Sequence, residues 1–316
     1  MATINRPLFG HLLLLTVAFI YGSLFVVGKI ILVELPADSL TLFRIAVAFV
    51  LFTCMGRMYV REHMQPRHIG AVVLAGAVGI AGSLSAFSKG LALSSAISST
   101  LVMASTPVWV ALGGAVLLGE VLTRQRIIGI GLCTAGLAIL LTQGRVHEIN
   151  LKEQGLLWVL LAAMAYALFI LLVKPLTAHY EPNTILTRVF GVGLLCLLPF
   201  CTIDLNITPF ASLSMYSWLG LLFVGIVATF GVHLLNAHAL RMLPANVVGS
   251  YLYLHPVAAT ILAYGIGLET IESSQVGAAS LVLLGVFISN TGRPASTHVD
   301  STLNQNSITI KNKQHA

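Results

Sequence analysis

Apolar runs long enough to cross a bilayer alternate with short polar connections along nearly the whole chain. They fall at 11–32, 40–57, 69–90, 96–118, 126–142, 155–174, 184–201, 217–240, 246–267 and 275–291. A helix needs about 20 mostly apolar residues to span the hydrocarbon core, so the pattern predicts ten transmembrane helices. The connections carry breakers: Pro36, Pro66, Pro182, Pro209, Pro244 and the Gln143-Gly144 pair. None is long enough for a separate domain. The segment 293–316 is polar and rich in Ser, Thr and Asn, and is expected to form a disordered cytoplasmic tail. A single cation, Arg6, lies ahead of the first run, whose apolar stretch exceeds the roughly 7–15 residues of a signal-peptide core. It reads as a retained first helix.

Composition sharpens this picture. Of 316 residues 57% are hydrophobic and 9% charged, against about 25% charged in soluble domains. A water-exposed surface cannot be built from so few charges, which excludes a soluble enzyme or a DNA-binding domain. The net charge of +6 comes from cations scattered between apolar runs, with no basic stripe for nucleic acid. With the N-terminus inside, eleven of the 17 Lys and Arg fall on inner connections and the tail, four on outer connections, and Arg44 and Arg188 within spans. The positive-inside rule then puts both termini in the cytoplasm, and a bacterial-type inner membrane is the expected location. Cys54, Cys133, Cys196 and Cys201 lie in or beside apolar runs without metal-ligand spacing, so they read as packing residues.

The two halves repeat each other. Pro107-Val108 followed by Glu120 matches Pro256-Val257 followed by Glu269, both at an offset of 149, and Gly82 and Gly136 match Gly231 and Gly285 at the same offset. Tyr21 and Lys29 match Tyr166 and Lys174 at 145, and Arg44 matches Arg188 at 144. Five spans per half is an odd number, so the second half must enter the membrane upside down. The predicted fold is therefore an all-α integral membrane protein of ten helices in a 5+5 inverted-topology repeat, with units at 11–142 and 155–291. Inverted repeats recur in secondary transporters and place the substrate site between the halves near the midplane.

The same residues carry a family resemblance. Tyr21-Gly22-Ser23, Arg44 opening the second span, the paired Pro-Val…Glu units and the glycine-containing fifth and tenth spans resemble EamA-type permeases of the drug/metabolite transporter superfamily. The resemblance covers residues 10–291. It implies an exporter of small metabolites or amino acids, with a cavity lined mainly by the first, third and fourth helices and their counterparts. It names a mechanism class and no cargo.

Helical spacing selects the polar faces. Tyr251 and His255, Ser83 and Phe87, and Tyr21 and Phe25 are i,i+4 pairs, and His233 and Asn236 are i,i+3. Lipid penalises such groups, so these faces should point inward. The candidate substrate cavity is Tyr21, Phe25, Ser83, Phe87, Met103, Thr106, Tyr166, His233, Asn236, Tyr251 and His255, with helix packing the plainer reading for each aromatic and for Met103. Pro107 and Pro256 lie within spans, where proline removes a backbone bond; they are candidate hinges or simple kinks. His255 and His233 are candidates for proton coupling, since histidine titrates near neutrality, yet a neutral histidine bonded to a helix carbonyl is equally natural. Glu120 and Glu269 read as helix-end carboxylates, and Arg44 and Arg188 as interfacial side chains that snorkel, with holding an anionic substrate as their alternative role. Small residues in the fifth and tenth spans suit close packing between repeats or in a homodimer.

Other classes compete. An intramembrane enzyme would need a nucleophile with its base or a metal set, and neither G-x-S-x-G nor H-E-x-x-H occurs. No P-loop, cofactor or metal motif is present. A non-transporting scaffold or assembly subunit stays open, because fold alone does not imply function. Within transport, a nucleotide sugar is the alternative cargo, and it would want several cavity cations for its phosphates.

Overall fold

The computed structural model describes residues 6–56, 62–118, 123–142, 152–201, 213–243, 248, 251–268 and 273–291. The expectations for Glu120, Glu269 and the segment 293–316 lie outside the described residues, as do the side chains of Cys133 and Cys201. Helices carry almost all of the described chain: α1 (Arg6–Glu34), α2 (Ala37–Gly56), α3 (Pro66–Leu93), α4 (Ala96–Leu117), α5 (Arg124–Thr142), α6 (Lys152–Leu176), α7 (Pro182–Cys201), α8 (Met215–Met242), α9 (Leu254–Gly265) and α10 (Ser273–Thr291). Seven of them are long and apolar enough to cross a membrane: α1 to α4 and α6 to α8. The apolar stretches of the other three, Ile127–Gly136, Leu254–Gly265 and Val276–Gly285, are shorter.

The surface is inverted relative to a soluble protein. Phe19, Leu195, Ile261 and Phe287 are about two-thirds exposed, and Ser83, Thr106 and Thr229 are buried. Only a hydrocarbon solvent makes that distribution favourable.

Contacts between helices follow an exchange rule. α1 packs on α8 and α9, and α6 packs on α3 and α4. α2 packs on α8, and α7 packs on α3. α2 also meets α7, and α5 meets α10, so these two pairs map onto themselves. Swapping the first five helices for the second five leaves this set of contacts unchanged, as a two-fold relation between the repeats requires.

Local chemistry repeats with the packing. α3 and α8 each contain a π-helical stretch, Ala75–Gly82 and Phe223–Gly231. Such wide turns are rare, and concentrate at functional sites. In the second stretch Thr229 Oγ1 donates to the Val224 carbonyl five residues back at 2.7 Å. Glycines let the same stretches approach their neighbours. A Cβ on Gly76 would lie 2.6 Å from the Val189 carbonyl of α7, and one on Gly225 would lie 3.1 Å from Val47 of α2. Gly136 plays this part between α5 and α10, where a Cβ would lie 2.9 Å from the Ala278 carbonyl.

One lysine in each half latches two of its helices together in the same way. Lys29 near the end of α1 donates to the Leu91, Ala92 and Ser94 carbonyls at the end of α3. Its repeat mate Lys174 of α6 donates to the Leu240 and Leu243 carbonyls at the end of α8. Each satisfies carbonyls that a helix terminus leaves unpaired, and places a cation at the negative end of the helix dipole.

Candidate functional site

A cavity lies where α1, α2, α3, α4 and α6 meet the start of α9. Tyr21, Leu24 and Phe25 of α1 line it, with Arg44 of α2, Ser83, Leu84 and Phe87 of α3, Met103 of α4, Tyr166 of α6, Leu252 and His255. It is small and partly open to the exterior. A smaller space beside it shares Tyr166 and Leu252 and adds Phe169, Ile170 and Asn236. Seven of the eleven residues selected by helical spacing meet in the first cavity: Tyr21, Phe25, Ser83, Phe87, Met103, Tyr166 and His255.

The two repeats share the cavity through a pair of equivalent residues. Tyr21 and Tyr166 face the same cavity from opposite repeats, and Asn236 Nδ2 donates to the Tyr166 hydroxyl at 3.2 Å. The His255 ring sits 5.0 Å from the Tyr21 ring. Phe25 and Phe87 meet edge to face at 5.1 Å, a favoured aromatic geometry. Ser83 Oγ donates to the Ala162 carbonyl at 3.1 Å, tying α3 to α6 at the cavity wall. The surface is thus an aromatic and aliphatic box with a few hydroxyls, one imidazole and one guanidinium.

Arg44 is the residue that sequence reasoning placed wrongly. It does not snorkel. It is 1% exposed, and it lies seven residues into α2, about 10 Å along the helix axis. Its Nε donates to Thr229 Oγ1 at 2.9 Å, and its guanidinium stands 5.8 Å from the centre of the Phe87 ring. Its Nη1 is buried and without a hydrogen-bond partner, as is His255 Nε2. The mate Arg188 is half-buried and donates instead to the Glu62 carbonyl at 2.7 Å. The repeat is therefore asymmetric at its most strongly charged position.

Four expected cavity residues lie elsewhere. Thr106 turns its Oγ1 back to the Met103 carbonyl at 2.6 Å, filling the bond that the break in α4 leaves open. His233 is 1% exposed, with Nδ1 2.8 Å from the Thr229 carbonyl and the rings of Phe169 and Phe190 edge-on at 5.7 and 5.1 Å. Asn236 lines only the neighbouring space. The Tyr251 hydroxyl pairs with His11 Nδ1 at 2.7 Å, which turns it toward the start of α1.

The two prolines do not interrupt continuous helices. α4 breaks at Ala104-Ser105 and restarts at Thr106, so Pro107 falls in a first turn. Pro256 is the third residue of α9, after a 3₁₀ turn at Tyr251–Tyr253. In a first turn the missing N–H has no intrahelical partner to lose. In each half a helix thus starts beside the cavity, after Met103 in one repeat and after Leu252 in the other. Among the described residues no three His, Cys, Asp or Glu gather to hold a metal ion.

The model of the EamA-like transporter family matches residues 8–142 and 153–291. The chain is 22% identical over 291 residues to the uncharacterized transporter YetK of Bacillus subtilis, covering 90% of this chain and 88% of that one. It is 28% identical over 233 residues to a probable terminal-alkyne amino-acid exporter of Streptantibioticus cattleyicolor, covering 72% and 74%. A crystal structure of 17% sequence identity superposes with a TM-score of 0.65 over 89% of this chain and 96% of that one, which establishes a shared fold.

Proposed function

The chain belongs to the EamA-like transporter family, and on that premise we propose that it exports small metabolites or amino acids by alternating access through the cavity between its repeats. The observation that carries this is that Tyr21 and Tyr166, equivalent residues of the two halves, line one polar, aromatic cavity. A site at that place can be opened by moving one half against the other.

Ten spans in a 5+5 inverted arrangement, with units at 11–142 and 155–291, account for how the helix ends meet. Glu34 at the end of α1 accepts from the Ser214 N–H just before α8, at 2.9 Å. The Tyr180 hydroxyl, just past α6, accepts from the Gln65 N–H just before α3, at 3.0 Å. The start of α8 thus lies by the end of α1, where a parallel repeat would put it by the start of α3. With inner-side cations in excess, both termini face the cytoplasm of a bacterial-type inner membrane. The breaks ahead of Pro107 and Pro256 serve as hinges. Of the two candidate histidines for proton coupling, only His255 reaches the cavity.

A nucleotide sugar fits less well. Arg44 is the only cation lining the cavity among the described residues, and Lys89 is paired with Asp38 at 3.2 Å. Counterflow into proteoliposomes over a panel of amino acids and small metabolites tests the reading. The expected result is flux of one class, lost in Ser83→Trp and Met103→Trp. Equal flux in folded Ser83→Trp and Met103→Trp variants would remove the cavity as the route. No flux of any compound from folded protein would favour the scaffold reading.

A further inference from the structure

Arg44 presents a problem that the protein itself does not solve. Its guanidinium is buried, lines the cavity, and has no carboxylate partner among the described residues. Protein groups supply one neutral hydrogen bond from Thr229 and the face of Phe87. A buried cation left this poorly compensated costs several kcal/mol unless something negative stands beside it. Nη1 has no acceptor, His255 Nε2 is likewise without a partner, and His255, Tyr21 and Tyr166 line the same space. The rest of the wall is apolar: Leu24, Phe25, Leu84, Phe87 and Leu252.

We propose that Arg44 is the anchor of the transported molecule, binding the carboxylate of a small organic monocarboxylate, an amino acid included, whose apolar body packs against Phe25 and Phe87. The inference rests on the transport reading and narrows its substrate class. One guanidinium, with no second cation among the lining residues, matches a single negative charge and leaves a di- or trianion uncompensated. The planar fork suits two carboxylate oxygens. With no carboxylate lining the cavity among the described residues, a primary amine without an acid group has no counter-charge there and is repelled by Arg44. Thr229, through its bond to the Val224 carbonyl in the wide turn of α8, is the positioning residue that holds the guanidinium on its cavity side.

The test is melting of the purified full chain, at constant ionic strength in chloride, with titrated hexanoate, benzoate and L-leucine and their uncharged or amide partners hexanamide, benzamide and L-leucinamide. At least one acid should stabilise the wild type with an apparent Kd about tenfold or more below that of its amide, the size of effect a charge-assisted hydrogen bond gives. Arg44→Gln should erase the difference between acid and amide, and Arg44→Lys should keep it in weakened form. If Arg44→Gln does not fold, the wild type and Arg44→Lys carry the comparison. Acids and amides acting alike, acids stabilising Arg44→Gln as they do the wild type, or no acid acting on the wild type would each overturn the proposal. Acid-selective stabilisation without counterflow would sustain the anion site and remove transport.

Discussion

Gly22 holds α1 against α9 at the point where the cavity is built. A Cβ placed there would stand 2.4 Å from the Ala258 Cβ and 3.2 Å from the Ala259 nitrogen. Methyl groups in ordinary contact sit about 3.4–4 Å apart, so Gly22→Ala forces the two helices apart by about 1 Å. Neither obstructing atom can rotate away, since one is a Cβ and the other backbone. Overpacking of this kind costs about 1–3 kcal/mol. Alanine in place of glycine within a helix returns about 0.5–1 kcal/mol. The net expectation is a loss of up to about 2.5 kcal/mol. A built-in comparison isolates the steric part. Gly70 and Gly277 are helical positions where an added Cβ meets nothing within 4 Å, so Gly70→Ala and Gly277→Ala should be neutral or slightly stabilising. Thermal or denaturant unfolding of the three purified variants reads the difference directly. Because Tyr21 is the preceding residue and faces His255 at 5.0 Å, Gly22→Ala should also reduce flux. Gly22→Ala with the stability of Gly277→Ala would refute the packing described for α1 and α9.

Lys29→Met and Lys174→Met should each lower stability by about 1.5–3 kcal/mol, the range for hydrogen bonds to a charged group. Since the two latches share no partner, the double variant should lose the sum of the two in the same unfolding assay. Tyr166→Phe should cost about 1–3 kcal/mol, because it strands the Asn236 amide as a buried donor; Tyr251→Phe, at a half-buried contact with His11, should cost less. If His255 carries the coupled proton, His255→Gln should lose the response of counterflow to an imposed pH gradient while His233→Gln, outside the cavity, keeps it. A gradient response retained in His255→Gln would exclude that role.

Much of this architecture is legible in the order of residues, and the reasons are physical. Hydrocarbon demands long apolar runs, so the helices announce themselves by composition, with ends close to the observed ones at Ala96–Leu117 and Met215–Met242. Offsets of 145 and 149 mark Lys29 with Lys174 and Pro107 with Pro256, residues that occupy equivalent places in the structure. The i,i+4 rule found Tyr21 with Phe25 and Ser83 with Phe87, because one helix face is enough to define one wall. It failed where a side chain has a local alternative. Thr106 prefers the carbonyl three residues back, and His233 prefers the carbonyl of Thr229 and a cage of rings from α6 and α7. Arg44 failed for another reason. A cation in an apolar helix is assigned to the interface when only its own helix is considered, and its burial is set by α3 and α8 packing around it. The signal was present as a lone Arg seven residues into an apolar helix with Thr41 and Ala48 on the same face, both buried. The π-helical stretches of α3 and α8 left no such signal, since their small residues also suit an ordinary helix.

Alternating access through one cavity is best tested from both sides of the membrane. With Cys54, Cys133, Cys196 and Cys201 replaced by Ser, Met103→Cys places one thiol at the cavity wall. In vesicles of both orientations a membrane-impermeant thiol reagent should label it from either side. Cross-linking Glu34→Cys to Ser214→Cys, whose parent side chains lie 2.9 Å apart, should stop labelling from that side and leave the other. Labelling from one side only in the unlocked protein, or labelling from both sides despite the lock, would contradict the account.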